Sequence, residues 1–147
     1  MSRGIAAIEI ARAWLGTPYR HQASVQGAGC DCLGLVRGVW RGLYGGEPET
    51  IPPYTPDWAE PEGIEALWQA ALRRLEARPA GQDAVGTVLL FRMRDGGIAK
   101  HLGLQARVGA APTFIHAYDR HGVVESPLSD PWRRRVVARF AFPEESN

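Results

Sequence analysis

The stretch Gly29-Cys30-Asp31-Cys32-Leu33-Gly34-Leu35-Val36-Arg37-Gly38-Val39-Trp40 most constrains what this chain can fold into. It holds both cysteines, and it reads as a small, flexible loop from Gln26 to Gly29 that runs into a buried helix. Leu35, Val36, Val39, Trp40 and Leu43 recur at helical spacing and give that helix one apolar face. Asp31 suits the N-cap, because its carboxylate can accept hydrogen bonds from the first free amides. Cys32 then occupies the first helical position, where unpaired N–H groups and the helix dipole favour an anion. A thiol there is expected to ionise more readily than a free cysteine and to serve as a nucleophile. The commoner fate of a lone cysteine is burial as a small hydrophobe. Gly34 and Gly38 share one side of the helix at a cost of about 1 kcal/mol each relative to alanine. They are expected to let another backbone approach beneath the cysteine.

At 147 residues the chain is long enough for one domain, residues 1–147, with a real core, and 45% hydrophobic residues argue against disorder. A net charge of +1 argues against a nucleic-acid surface. Two cysteines separated by one residue make a poor structural disulfide and lack the second ligand pair of a zinc site. Such a pair could support a redox or metal module only with further ligands, so no metal or organic cofactor is expected. Ile5 to Leu15 is apolar but interrupted by Glu9 and Arg12, which does not read as a signal peptide. No stretch approaches the roughly 20 apolar residues of a membrane span. The chain is therefore expected to be made in the cytoplasm, without membrane partners.

Ile5, Ile8, Ala11, Trp14 and Leu15 form a stripe on a helix from Gly4 to Leu15, ended by Gly16-Thr17-Pro18. The cysteine-bearing helix stops at Tyr44-Gly45-Gly46. Glu47 to Pro61 carries five prolines with Tyr54 and Trp58 among them and reads as an ordered loop or a rim around a groove. Glu62 to Ala77 reads as a further amphipathic helix. The pattern then switches to strands over Gly86–Met93, Ala99–Val108, Thr113–Tyr118, Gly122–Ser126 and Arg135–Phe142. Helices followed by an antiparallel meander indicate an α+β fold.

Of the four histidines, His121 sits in the turn Asp119-Arg120-His121-Gly122 and reads as solvated. His101 and His116 instead interrupt apolar strands. The period of two puts His101 on a face with Gly103 and Gln105, and His116 with Phe114 and Tyr118. On antiparallel neighbours the two imidazoles can meet on one sheet face. A cysteine, a histidine and a third polar group that orients the histidine form the set a cysteine hydrolase needs.

The ordered motifs Ala13-Trp14-Leu15-Gly16-Thr17-Pro18-Tyr19, Asp31-Cys32-Leu33-Gly34-Leu35-Val36, Gly86-Thr87-Val88-Leu89-Leu90-Phe91, His101-Leu102-Gly103-Leu104 and Phe114-Ile115-His116-Ala117 resemble the NlpC-type, papain-like cell-wall peptidases, especially those of phage and gene-transfer-agent tail modules. The resemblance implies a papain-like cysteine peptidase fold, with N-terminal helices packed on an antiparallel sheet of about five strands. It implies Cys32 as nucleophile, His101 as base and His116 as the orienting residue. Tyr19 would line the site and help hold the oxyanion, and Asp31 would contact a substrate amine. The implied substrate is the peptidoglycan stem peptide, cut between γ-D-glutamate and the diamino acid, and the implied partners are phage-like tail proteins. Such a protein would act at the cell wall or periplasm as part of a particle. The other reading is a structural tail-assembly protein that keeps the fold without turnover. Many members carry Ser after the cysteine, where this chain has Leu33, and Cys30 has no family role.

Overall fold

Helix α1 (Arg3–Ala13) starts where the Ser2 hydroxyl accepts the Ile5 N–H at 3.1 Å. In the computed structural model, which describes residues 2–48, 54, 65–79 and 81–144, its Ala7, Ile8 and Ala11 turn inward together with Trp14. Ile5 and Leu15, expected on the same stripe, are 46% and 41% exposed. For Leu15 the reason is that the helix ends at Ala13 and the chain turns away. Gly16, in a left-handed conformation (φ 88°), then sends its N–H to the Val123 carbonyl at 3.0 Å.

Helix α2 (Cys32–Tyr44) begins at Asp31, as its sequence requires, and ends at left-handed Gly45. Leu35, Val36, Val39 and Trp40 are its buried face. Both small positions are used by close neighbours. A Cβ on Gly34 would lie 1.9 Å from the Ala23 carbonyl oxygen, and one on Gly38 would lie 2.1 Å from the Trp14 ring. Gly34 thus admits a backbone, as expected, whereas Gly38 admits the indole of Trp14, just past the end of α1. Ahead of α2 the expected loop is a short antiparallel ribbon of β1 (Ser24–Val25) and β2 (Gly29–Cys30).

The helix expected over Glu62 to Ala77 is shorter. Residues 62–64 lie outside the described residues, as does most of the proline-rich segment, and α3 runs Ala66–Arg74. Leu75 turns extended, and β3 (Glu76–Arg78) pairs with a strand instead. Pro79 disfavours a helical Arg78, and the sheet edge offers these amides partners that a frayed helix end would lack.

Among the described residues the main sheet has six antiparallel strands in the order β3-β8-β4-β5-β6-β7, with β4 (Val88–Arg92), β5 (Ala99–Arg107), β6 (Thr113–Tyr118), β7 (Gly122–Pro127) and β8 (Val136–Ala141). Only β4 to β7 form the expected meander; β8 crosses back to the free edge of β4. The crossing passes through a short helix, α4 (Asp130–Arg133), whose Trp132 packs on Phe91 and Phe114. Burying that indole draws the chain across the sheet and past the β7 edge.

The two sheet faces differ in content. One carries Val88, Leu90, Leu102, Leu104, Ile115 and Phe140 against α1 and α2, in a core where each full burial contributes about 1.5–3 kcal/mol. The other carries Leu89, Phe91, Phe114 and Leu128, covered by Trp132. The second face also holds Arg139, which donates to Gln105 Oε1 (3.1 Å) and pairs with Asp83 (3.1 Å), tying β8 to β5 across β4.

Candidate active site

Asp31 is 3% exposed, and both of its carboxylate oxygens accept hydrogen bonds inside the protein. Oδ1 accepts the Gly34 N–H at 2.7 Å, the helix cap expected from sequence. Oδ2 accepts the Gln22 N–H at 2.7 Å and the Tyr54 hydroxyl, with His21 Nδ1 at 3.8 Å. The Tyr54 carbonyl in turn accepts from His21 Nε2 (2.8 Å) and Gln22 Nε2 (2.5 Å). A substrate amine at Asp31 would share these oxygens with Gly34, Gln22 and Tyr54. This carboxylate builds the loop and the helix start.

Cys32 follows at the first position of α2, 6% exposed. Its Sγ donates toward the Lys100 carbonyl at 4.0 Å, so the thiol lies against the backbone that carries His101. Among the described residues no imidazole hydrogen-bonds the sulfur. The expected easy ionisation is corrected by its surroundings. Burial first, then the Asp31 charge, push the thiol up to about 12, and the nearby N–H groups of Leu102 and Leu33 offset only part of this. Desolvation outweighs the helix dipole because the thiol is enclosed and its nearest charge is negative. Cys30, fully buried and also free, is pushed up to about 12 by the same two causes.

Cys30 has a structural use. It forms an isolated parallel bridge with Tyr19, built from Cys30 N–H to Pro18 carbonyl and Arg20 N–H to Cys30 carbonyl, each 3.0 Å. The bridge holds Tyr19 beside the start of α2. Burial, and then the charges of Cys32 and Asp31, raise the phenol well above its ordinary range. Tyr19 therefore stays a neutral donor, and its hydroxyl makes no hydrogen bond among the described residues.

His101 and His116 meet as the strand pattern predicts. His101 Nε2 and His116 Nδ1 are 2.8 Å apart, in rings whose centroids are 5.0 Å apart. The registered pairs of β5 and β6 run from Leu104↔Ile115 to Arg107↔Thr113, so the meeting occurs beyond the paired stretch. Gly103 makes room for it, since a Cβ there would lie 2.8 Å from the Phe114 ring and 3.3 Å from His116 Cβ. Both imidazoles sit in an aromatic box. Phe91 (5.6 Å) and Trp132 (5.9 Å) face His101, while Phe114 (4.1 Å), Trp132 (5.2 Å) and Tyr118 (5.3 Å) face His116. Burial lowers His101 to about 4, and burial with the neighbouring imidazoles lowers His116 to about 3. At neutral pH the thiol and both rings are uncharged.

His121 lies apart, exposed, with Nδ1 on the Asp119 carbonyl and its ring stacked on Tyr118. Two participants carry no site role in the sequence, Trp132 and Ser126, whose Oγ is 2.9 Å from His116 Nε2, and Tyr54 is placed there only in a loop or rim. Ser126 was within reach of strand arithmetic. The tight turn pairs Tyr118 with Gly122, which puts Ser126 opposite Phe114 and on the face of His116. Among the described residues no three His, Cys, Asp or Glu side chains are grouped to hold a metal ion.

No family model matches the sequence, and no curated protein does. Solved structures do match in fold. An NLP/P60-family protein similar to a lipoprotein, from Staphylococcus aureus subsp. aureus Mu50, superposes with a TM-score of 0.64 at 16% identity, over 97% of this chain and 42% of that one. An NlpC/P60 family protein from Bacillus cereus ATCC 10987 gives 0.61 at 20% identity, over 92% of this chain and 39% of that one. Ly7917 with the hydrolysis product of MDP gives 0.59 at 15% identity, over 95% and 63%. The chain thus spans about two fifths of the staphylococcal and Bacillus proteins. Its helix-plus-antiparallel-sheet fold is the papain-like α+β fold of the NlpC/P60 structures.

Proposed function

We propose that the protein is a cysteine peptidase that hydrolyses an amide bond in peptidoglycan stem peptides, between γ-D-glutamate and the diamino acid. The observation that carries this reading is the hydrogen bond of His101 Nε2 to His116 Nδ1, in a ring whose Nδ1 has no partner among the described residues, beside the backbone against which Cys32 rests. A hydrolase needs an oriented imidazole with one open nitrogen near a thiol. A scaffold has no use for buried, mutually bonded histidines. The fold shared with Ly7917, whose structure holds the hydrolysis product of MDP, agrees with a cell-wall substrate. The motifs shared with tail-module peptidases support action at the cell wall as part of a phage-like particle.

In this reading His101 Nδ1 takes the thiol proton as Cys32 Sγ attacks the amide carbonyl. The Cys32 N–H, which has no intrahelical partner, and the Tyr19 hydroxyl donate to the developing oxyanion. The C–N bond then breaks as the His101 imidazolium returns its proton to the leaving amine. Water, deprotonated by the same nitrogen, hydrolyses the thioester and regenerates the thiol. His116 holds the His101 ring throughout. Digestion of purified peptidoglycan followed by mass spectrometry of the fragments tests the proposal. Wild type should release fragments ending at γ-glutamate, and Cys32→Ala should release none. Identical fragment profiles for the two proteins would refute it.

A further inference from the structure

The His101–His116 pair does not end at His116. His116 Nε2 lies 2.9 Å from Ser126 Oγ, and Ser126 is half-buried on β7, on the same sheet face. We propose that Ser126 is a positioning residue for His101: a two-way hydroxyl at the end of the imidazole chain that accepts a hydrogen bond from His116 Nε2–H when His101 becomes cationic. The proposal rests on the peptidase reading given above.

Each neutral imidazole carries one N–H, so the chain has two proton arrangements. In one, His116 Nδ1–H donates to His101 Nε2, and His101 carries its own proton at Nδ1. There the base is blocked, and His116 Nε2 accepts from the Ser126 hydroxyl. In the other, His101 Nε2–H donates to His116 Nδ1, His116 carries its proton at Nε2, and that N–H donates to Ser126 Oγ. Only the second leaves His101 Nδ1 open to a thiol proton. It is also the only one compatible with the imidazolium, in which both His101 nitrogens carry protons and Nε2 must donate. During turnover His116 is therefore driven to hold its proton at Nε2. That N–H is buried among Phe114, Tyr118 and Trp132, where a donor without an acceptor is costly.

A hydroxyl meets both demands because it rotates. Its partial exposure lets Ser126 turn its own proton to solvent while Oγ accepts from His116. The titratable groups facing the His116 ring are His101 from β5, Tyr118 from β6 and His121 from the turn after it. The neighbouring Glu125 is committed to Arg12 and Thr113, each at 2.6 Å, and α4 presents uncharged Trp132. None of these supplies an acceptor at Nε2, so the task falls to Ser126.

Ser126→Ala should lower kcat about tenfold or more, the loss of one hydrogen bond to a charged chain. It should also move the acid limb of the kcat/KM profile to lower pH, because the imidazolium loses support. Ser126→Thr, which keeps the hydroxyl, should restore both. Imidazole 15N shifts of the substrate-free protein should show His116 with altered proton occupancy at Nε2 in Ser126→Ala and not in Ser126→Thr. An unmoved acid limb and unchanged shifts in folded Ser126→Ala would overturn the proposal, as would Ser126→Thr as impaired as Ser126→Ala. If Cys32→Ala and His101→Ala also retained wild-type turnover, the peptidase reading itself would fall. The nitrogen shifts would still decide the role of Ser126.

Discussion

Both faces of the central sheet bury side chains, and they do so for opposite ends. On the face toward α1 and α2, Leu90, Leu102, Leu104 and Ile115 are aliphatic, and their burial is favourable on its own account. On the other face, His101 and His116 are enclosed by Phe91, Phe114 and Trp132, and their burial is tolerated only because the rings are neutral and hydrogen-bonded to each other. Cys32 packs with the aliphatic side yet rests on the Lys100 carbonyl, next to His101. The lesson is that burial alone does not mark a core. One face stores stability, and the other spends some of it to keep bases uncharged.

The largest expected effect separates those faces directly. His101→Ala should lower peptidase activity by roughly 10²–10⁴, the usual worth of a general base. Leu104→Ala, on the aliphatic face, should instead cost about 2–5 kcal/mol of stability and leave kcat of the folded fraction near wild type. Urea denaturation and steady-state kinetics on both variants make the comparison. Leu104→Ala with full stability, or folded His101→Ala with full activity, would break it.

The second effect is on stability against pH. In the unfolded chain a histidine titrates near pH 6.5, whereas burial holds folded His101 near 4 and His116 near 3. Between those values the unfolded chain binds protons that the folded protein refuses. Stability is therefore full above about pH 6.5, falls as pH drops through about 4, and stops falling on this account below about 3. Denaturation midpoints at pH 7.5 and 4.5 should differ more for wild type than for a His101→Gln/His116→Gln variant. Equal differences would show that the aromatic face does not hold its histidines neutral.

Much of this arrangement is legible in the sequence, because local chemistry decides it. The Asp31 cap, the Gly45 stop and the Tyr118–Gly122 turn each rest on a few neighbouring residues. The shared face of His101 and His116 follows from the period of two. What was not legible depends on distant chain. Edge strand β3 exists because β8 supplies partners, and β8 lies where it does because Trp132 crosses the aromatic face. The ionisation of Cys32 likewise depends on packing beyond its own stretch. The helix start is local and favours a thiolate, but the burial that outweighs it comes from β5 and the rest of the core, with the adjacent Asp31 charge adding to it.

The smallest effect concerns what the aliphatic side of the thiol offers a substrate. A free stem-peptide amine would need an acceptor near Cys32. Asp31 has its oxygens on Gly34, Gln22 and Tyr54, and Leu33 brings no hydroxyl. Leu33 instead packs with the core of α2 and lines an apolar cavity with Val36, Trp40, Leu67 and Leu102. A site that holds a polar group rejects substrates without it, because its own buried partners go unpaired; a site without such partners has no ground to discriminate. Stems still joined to glycan should therefore be cut about as fast as stems freed by an amidase. Tyr54→Phe removes one donor from Asp31 Oδ2 and opens an acceptor there, so it should shift the ratio toward freed stems by about threefold, within the worth of one hydrogen bond. Rates on intact sacculi and on amidase-treated peptides, for wild type and Tyr54→Phe, decide the matter. A strong wild-type preference for freed stems would mean that the aliphatic side does recognise an amine, and the division between a face that stabilises and a face that reacts would no longer hold at Cys32.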